Sequence, residues 1–396
     1  MTTVLMPEPR VAAAFIHLSC RSAMQFSQLA SVKHRVAVGK PLPFNVRNAD
    51  HTLLLARGHV VDTFDQMEAL FTRGALVDIA ELRSPEDSIR QAPPEQLPKL
   101  WGQCMDRVGQ ALQSCTQEGF NEALDEVTGP VQALIERDSD LAIFQVLRQD
   151  GNRHTQYGVT HSIHTAITAF LVAQRLGWDE AGVQKVFKVA LTMNLSMLEL
   201  QGQLAVQTAP VSPEQRAAIL SHPQRSVEML ELAGVTDREW LDGVADHHVA
   251  PDGSGYPAGR HEVNDFAALV RRADIYTAKL SPRTTRSAMA ADRAGRAMFM
   301  YDPGNSMTAA LVKEFGVYPP GCFVKLLSGE TAVVVKRGPS VVTPLVAALT
   351  TSNGTPLVDP VPRDTSKREH AIAGVIGEGA VTVRITPEKL VKLALA

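Results

Sequence analysis

The chain has 396 residues, 45% of them hydrophobic and 20% charged, with a formal net charge of -3. That length exceeds what one core usually serves, and the near-neutral balance excludes a general electrostatic pull toward nucleic acid or an anionic membrane. The four cysteines, Cys20, Cys104, Cys115 and Cys322, form neither a C-x-x-C pair nor a dense framework, which fits a reducing cytoplasm.

The first apolar stretch, VAAAFIHLSC, is interrupted by His17 and preceded by Glu8 rather than by a basic cluster, so it does not read as a signal segment. No run approaches the ~18 apolar residues needed to span a bilayer. PFNVRNADHTLLLARGHVV predicts two β-runs around the Asn48-Ala49-Asp50 turn, and FDQMEALFTRG a helix stopped by Gly74. The Pro- and charge-rich Ser84–Leu100 stretch reads as a linker running into a helix. From about Leu100 to Met300 nearly every segment has apolar residues three and four apart, the spacing of packed helices. Ser212-Pro213-Glu214-Gln215 carries a capping box with Pro at the first helical position, and Thr236 with Glu239 suggests a second box. After Tyr318 the pattern turns to strand: CFVKLLSGETAVVVKRG joins two runs at Ser328-Gly329, and PLVAALTTSNGTPLVDPV two more at Asn353-Gly354. The expected fold is mainly α, a helical bundle flanked by a small N-terminal α+β module and a C-terminal β-rich appendage. Its expected segments are 1–90 for the module, 91–130 for a linker and leading helix, 131–312 for the bundle and 313–396 for the β-rich part.

Within the helical block His161, His222, His247, His248 and Asp274 are candidate metal ligands, since mixed imidazole and carboxylate sets suit metals that activate water. The adjacent His247-His248 pair is the unusual feature, because consecutive helical residues point about 100° apart and a single structural role for both is hard to find. DGSGYP places Tyr256 in a tight turn beside that pair, and Arg283 and Arg286 follow Asp274 as possible phosphate clamps.

These residues together resemble the HD-GYP family of the HD phosphohydrolase superfamily, whose active members hydrolyse the bacterial second messenger cyclic di-GMP. The resemblance runs from about Tyr157 to about Arg286 through THS at His161, SHP at His222, the His247-His248 pair, DGSGYP, and RRADIYTA with Asp274. It implies an HD-type helical bundle holding two or three iron or manganese ions. It also implies nucleotide contacts at Tyr256, Arg283 and Arg286, and a loop shaped by Gly253, Gly255 and Pro257. The family's His-Asp-x-Gly-Lys signature, counted back without gaps from His222, falls on Met193-Asn194-Leu195-Ser196-Met197. Its metal-binding His becomes Met193, its bridging Asp becomes Asn194 and its substrate-contacting Lys becomes Met197. Tyr157 also stands where a family glutamate holds a third metal, and Val249 where a glutamate follows the paired histidines. A neutral amide cannot bridge two dications, and a thioether is a soft ligand where imidazole is wanted.

The resulting expectation is a cytoplasmic bacterial signalling protein whose degenerate HD-GYP domain acts as a nucleotide-binding or protein-docking module rather than as an efficient enzyme. It would bind cyclic di-GMP or a related nucleotide, or dock a GGDEF-type cyclase, with one Fe, Mn or Zn ion at the remaining histidines or none. The alternatives are a residual single-metal phosphodiesterase and an interaction scaffold that binds no nucleotide.

Overall fold

The computed structural model describes residues 25–117, 119–148, 156–257 and 259–381, with isolated positions beyond. Cys20 and the VAAAFIHLSC stretch lie outside these. The chain divides into two compact units, residues 1–84 and 85–396.

In the first unit β1 (Phe26–Gln28), β2 (Val46–Arg47), β3 (Leu53–Leu55) and β4 (Leu76–Asp78) form an antiparallel sheet of order β1-β4-β2-β3. The turn between β2 and β3 is made by Asp50, whose carboxylate accepts from the Thr52 amide at 3.0 Å, and by His51 at φ 70°. Helix α1 (Phe64–Thr72) starts where the Thr63 hydroxyl accepts from the Gln66 amide, and Gly74 follows it at positive φ. A short α2 (Ile79–Leu82) closes the unit over a core that includes Leu29, Phe44, Val46 and Val77.

The second unit is mostly helical. The stretch read as a linker begins with α3 (Pro85–Gln91), for which Ser84-Pro85-Glu86-Asp87 supplies Pro at the first position and acids in the first turn. Then follow α4 (Leu97–Gln113), α5 (Phe120–Arg137), α6 (Ser139–Leu147), α7 (Tyr157–Leu176), α8 (Glu180–Thr192), α9 (Leu198–Val206) and α10 (Pro213–Leu232). The series ends with α11 (Arg238–Asp246), α12 (Asp265–Leu280), α13 (Ala291–Tyr301) and α14 (Ser306–Phe315). Asp138 breaks VQALIERDSDLAIFQVLRQ into two helices by capping α6 through the Leu141 amide. The Ser212 capping box forms as expected. The second one does not: Asp237, not Thr236, caps α11 by accepting from the Trp240 amide, while its carboxylate also meets Lys185 at 3.0 Å. An ionised cap beside a lysine outcompetes the neighbouring hydroxyl.

Helix α7 is the axis of this unit, buried on nearly all sides and packed by α4, α6, α8, α9, α12 and α14. Its inward hydroxyls need internal partners, and Thr165 and Thr168 find them in the carbonyls of His161 and His164. Thr165 also meets Thr277 of α12 at 3.0 Å, which fixes the two helices in register. Gly158 is required near the start of α7, since a Cβ there would lie 2.3 Å from the Leu198 carbonyl oxygen.

The tail forms β5 (Phe323–Leu326), β6 (Thr331–Lys336), β7 (Leu345–Thr350), β8 (Pro356–Asp364) and β9 (Ile372–Ile376), antiparallel in the order β8-β7-β6-β5-β9. Gly329 and Gly354 take positive φ in the two expected hairpin turns. Phe323, Val333, Val335, Ala347 and Leu349 join the main helical core, while Cys322, Val324, Leu326, Ala332 and Val334 build a smaller core on the sheet's other face. The sheet therefore shares a core with the bundle. Arg337, just past β6, secures that junction: it pairs with Asp140 of α6 and Glu314 of α14, and donates to the Glu314 carbonyl at 3.1 Å and the Ser139 hydroxyl at 2.5 Å.

Replacing Arg337 by Ala leaves two largely buried carboxylates short of a partner. The expected loss is about 2–3 kcal/mol of unfolding free energy, measured by denaturant titration. Arg337→Lys should recover only part, because a compact ammonium lacks the planar five-donor fork that spans these acceptors.

Candidate functional site

His222 sits in the interior of α10 and is followed by Pro223. A proline has no amide hydrogen, so the Ile219 carbonyl four residues before it loses its helical donor. His222 supplies the replacement: its Nδ1 donates to the Ile219 oxygen at 2.6 Å. His247 stands just past the last residue of α11, where helix carbonyls lack partners, and its Nδ1 donates to the Val244 oxygen at 2.7 Å. A carbonyl only accepts, so both Nδ1 atoms carry hydrogen and both Nε2 atoms present lone pairs. Those two Nε2 atoms face each other at 3.2 Å.

His248 completes the group, with one donor atom from each of the three histidines lying within 4.8 Å of the others. The loop after it folds back onto it. Tyr256 stacks on the His248 ring at 4.4 Å and donates its amide to the His248 carbonyl at 3.3 Å. Gly255 permits this return, because a Cβ there would come within 2.1 Å of the same carbonyl oxygen. Gly253 adopts φ +74° in the loop, and Pro257 follows a cis peptide bond. Asp246, buried just before His247, is held by Arg260 from the far side of the loop at 2.5 Å.

A second pair lies alongside. Nε2 of His161 on α7 meets the Asp274 carboxylate of α12 at 2.7 Å, leaving the buried His161 Nδ1 without a partner among the described residues. Tyr157 stacks nearly parallel on His161, with ring centres 5.8 Å apart, and Arg283 lies 5.5 Å over the tyrosine ring. Arg286 turns elsewhere and donates to the Ala278 carbonyl. Arg283 thus stands at the His161 end of the site, while Tyr256 stands at the His248 end.

Charge in this region is set by dehydration. Burial pushes the His222 pKa down to about 3, and lowers those of His247 and His248 as well. Burial alone would raise the Asp274 pKa, but the His161 hydrogen bond and the adjacent imidazoles hold it well below the usual carboxylate range. Burial raises the Tyr256 phenol. The site therefore offers neutral imidazoles facing one carboxylate.

The stretch Met193–Met197 lies against α10. Met193 is fully buried in the main apolar core, and Asn194 is buried with its side-chain oxygen unpartnered among the described residues. Met197 is also buried. Ser196 ties the turn to α10 by donating its hydroxyl to the His222 carbonyl at 2.9 Å and its amide to the Ser226 hydroxyl at 3.2 Å.

Two lone pairs held 3.2 Å apart are repulsive unless a cation lies between them. The separation matches the edge of a tetrahedral site with metal–nitrogen bonds of 2.0–2.1 Å, which is about 3.3 Å. Hydrogen bonds from the far ring nitrogens to carbonyls are the usual support for ligating histidines. The residues present thus fit one imidazole-bound ion. They do not fit the bridged pair of ions that the resemblance implies, since Met193 and Asn194 offer neither an imidazole nor a carboxylate.

No known protein-family profile matches the chain. It is 25% identical over 247 residues to the cyclic di-GMP phosphodiesterase PA4108 of Pseudomonas aeruginosa, a match that covers 61% of this chain and 57% of that protein. Among solved structures it is similar to Bd1817, an HD-GYP-type protein from Bdellovibrio bacteriovorus, with a TM-score of 0.48 and 14% identity over 73% of this chain and 98% of that one. The bundle gathers three histidines beside a Gly-Tyr-Pro turn, with the His161–Asp274 pair alongside. In this grouping the described residues are similar to an HD-GYP domain.

Sequence reasoning had the histidines, the SHP motif and the tyrosine loop but not the roles of Pro223 and Ser196, nor Arg260. A proline directly after a histidine inside a helical pattern was the available signal for the first. His164, with His154 a ligand that the single-metal phosphodiesterase reading could recruit, is buried with Nδ1 unpartnered among the described residues and a pKa pushed down to about 3 by burial. His154 lies outside the described residues.

Pro223→Ala returns an amide to Ile219 and releases the His222 ring. Zinc affinity of the chelator-stripped protein should fall by roughly tenfold or more, read by competition with a chromophoric chelator, while helix content by circular dichroism holds or rises. A second expectation follows from His164. Its folded pKa lies below its unfolded value of about 6.5, so its contribution is complete above that pH and is lost as the pH falls toward about 3. Urea titrations of the metal-free protein between pH 7 and 5 should show falling stability, and His164→Leu should remove up to about 1.4 kcal/mol per pH unit of that slope.

Proposed function

We propose that this is a cytoplasmic bacterial signalling protein whose HD-GYP-like domain senses cyclic di-GMP or a related nucleotide without turning it over efficiently. The carrying observation is the filling of the signature positions: Met193 packs into the apolar core, and the buried Asn194 brings an uncharged amide. Two cations cannot share a neutral oxygen without a large electrostatic penalty.

What remains is a binding surface. Tyr256 is fixed on His248, and Arg283 is braced by Tyr157, to whose hydroxyl its Nε donates at 3.4 Å. A guanidinium and an aromatic face suit a phosphate-bearing purine nucleotide. One ion on His222, His247 and His248 would add a positive charge toward a phosphate oxygen. The tyrosine loop also offers a docking face for a GGDEF-type cyclase. Among the described residues no helix is long and apolar enough to cross a membrane. The relative's name supports the choice of nucleotide, although the match spans only 57% of that protein. The facing Nε2 atoms of His222 and His247 favour a second reading, a residual phosphodiesterase with a single metal.

Metal analysis with cyclic di-GMP turnover and calorimetry on one preparation separates these. The proposal expects at most one ion per chain, saturable nucleotide binding and no linearised product; two ions with linearised product would overturn it. Arg283→Ala should weaken binding by about 1.5–3 kcal/mol, the loss of a charge-assisted contact.

A further inference from the structure

A cavity of about 770 Å³ opens between the end of α4, the start of α7, the Leu195–Met197 turn with α9, and one flank of α10. None of the histidines or arginines discussed above lines it. Burial sorts its lining into floor and mouth. Leu112, Cys115 and Leu195 are buried and form an apolar floor, and the partly buried Val159, Leu198 and Met229 make the walls. Glu199, Arg225 and Glu228 are exposed and stand at the mouth, beside Leu232, which is 90% exposed.

The volume falls within the range of small-molecule sites, whose walls are mostly apolar with a few polar groups that set orientation. An apolar side chain as exposed as Leu232 on the rim of such a hollow adds a contact surface for an apolar body. Two carboxylates against one guanidinium give the mouth a net negative charge. An anionic head would meet that excess, whereas a cationic head would be attracted by it.

We propose that this cavity binds a small amphiphile with an aliphatic or aromatic body and a single positively charged head. The body lies along Leu112, Leu195 and Met229, and the head sits between Glu199 and Glu228. The site is independent of the nucleotide reading and shares no residue with it. The floor nevertheless bears on the histidine helix, because Ser196, which also lines the cavity, holds the His222 carbonyl.

The test is calorimetry on the full chain with decyltrimethylammonium, decanoate and a neutral decyl glycoside, each below its micelle concentration. The expected result is one saturable site for the cation, with the anion weaker by roughly tenfold or more. Glu199→Gln combined with Glu228→Gln should shrink that preference, and Met229→Trp should block binding by filling the cavity. Should Met229→Trp fail to fold, Leu232→Lys, an exposed change that adds like charge at the mouth, should weaken the cation instead. Equal or tighter binding of decanoate, non-saturable uptake, or cation binding indifferent to these substitutions would overturn the proposal.

Discussion

Pro223 cannot donate to Ile219, α11 ends before anything can donate to Val244, and two histidine rings turn their Nδ1 hydrogens into those vacancies. This pair of backbone defects fixes the rest of the site. With both tautomers set, two bare nitrogens are held 3.2 Å apart in a dehydrated pocket, a configuration tolerable chiefly as a receptor for positive charge. His248 follows by adjacency to His247, and Tyr256 follows by stacking on His248. The tyrosine loop is thus referenced, ring by ring, to two carbonyls that a regular helix would have kept for itself.

The scaffold holds that arrangement from behind. Helix α7 carries His161 at the centre of the bundle and meets α12, with Asp274, through paired threonine hydroxyls. Arg272, buried two residues before Asp274 on another face of α12, pairs with Asp302 and donates to the Thr308 hydroxyl at 3.2 Å, which fixes α12 against the turn leading into α14. Glu314 of α14 takes up Arg337 from the sheet and Arg175 from α7. The helical half and the β-rich half are therefore one packed body, in which the sheet steadies the helices that carry the acidic and imidazole groups.

Much of the fold was legible because it rests on local rules. The helical period, the Ser212 box and the Asn353-Gly354 turn each encode their outcome within a few residues, and each forms as read. Reading failed where a longer-range partner decided. Thr236 looked like a cap until Lys185, distant in sequence, favoured the carboxylate of Asp237. Ser84–Leu100 looked like a linker because proline and charge were counted as composition, whereas by position they are the opening of α3. At the site the histidines were visible as residue types. His222, His247 and His248 were also legible as a set for a single metal, but the separate His161–Asp274 pair and the ring directions were not, because they depend on tertiary contacts that periodicity does not mark.

Strand β8 lies at the outer edge of the second sheet, and it contains Pro356, Pro360 and Pro362. Each removes an amide from a strand that, among the described residues, pairs with β7 along one side only, and a further strand approaching that border would find gaps where it needs donors. Self-association by sheet extension is discouraged there, so copies of this chain that assemble would have to meet through side chains rather than through shared backbone ladders on that flank.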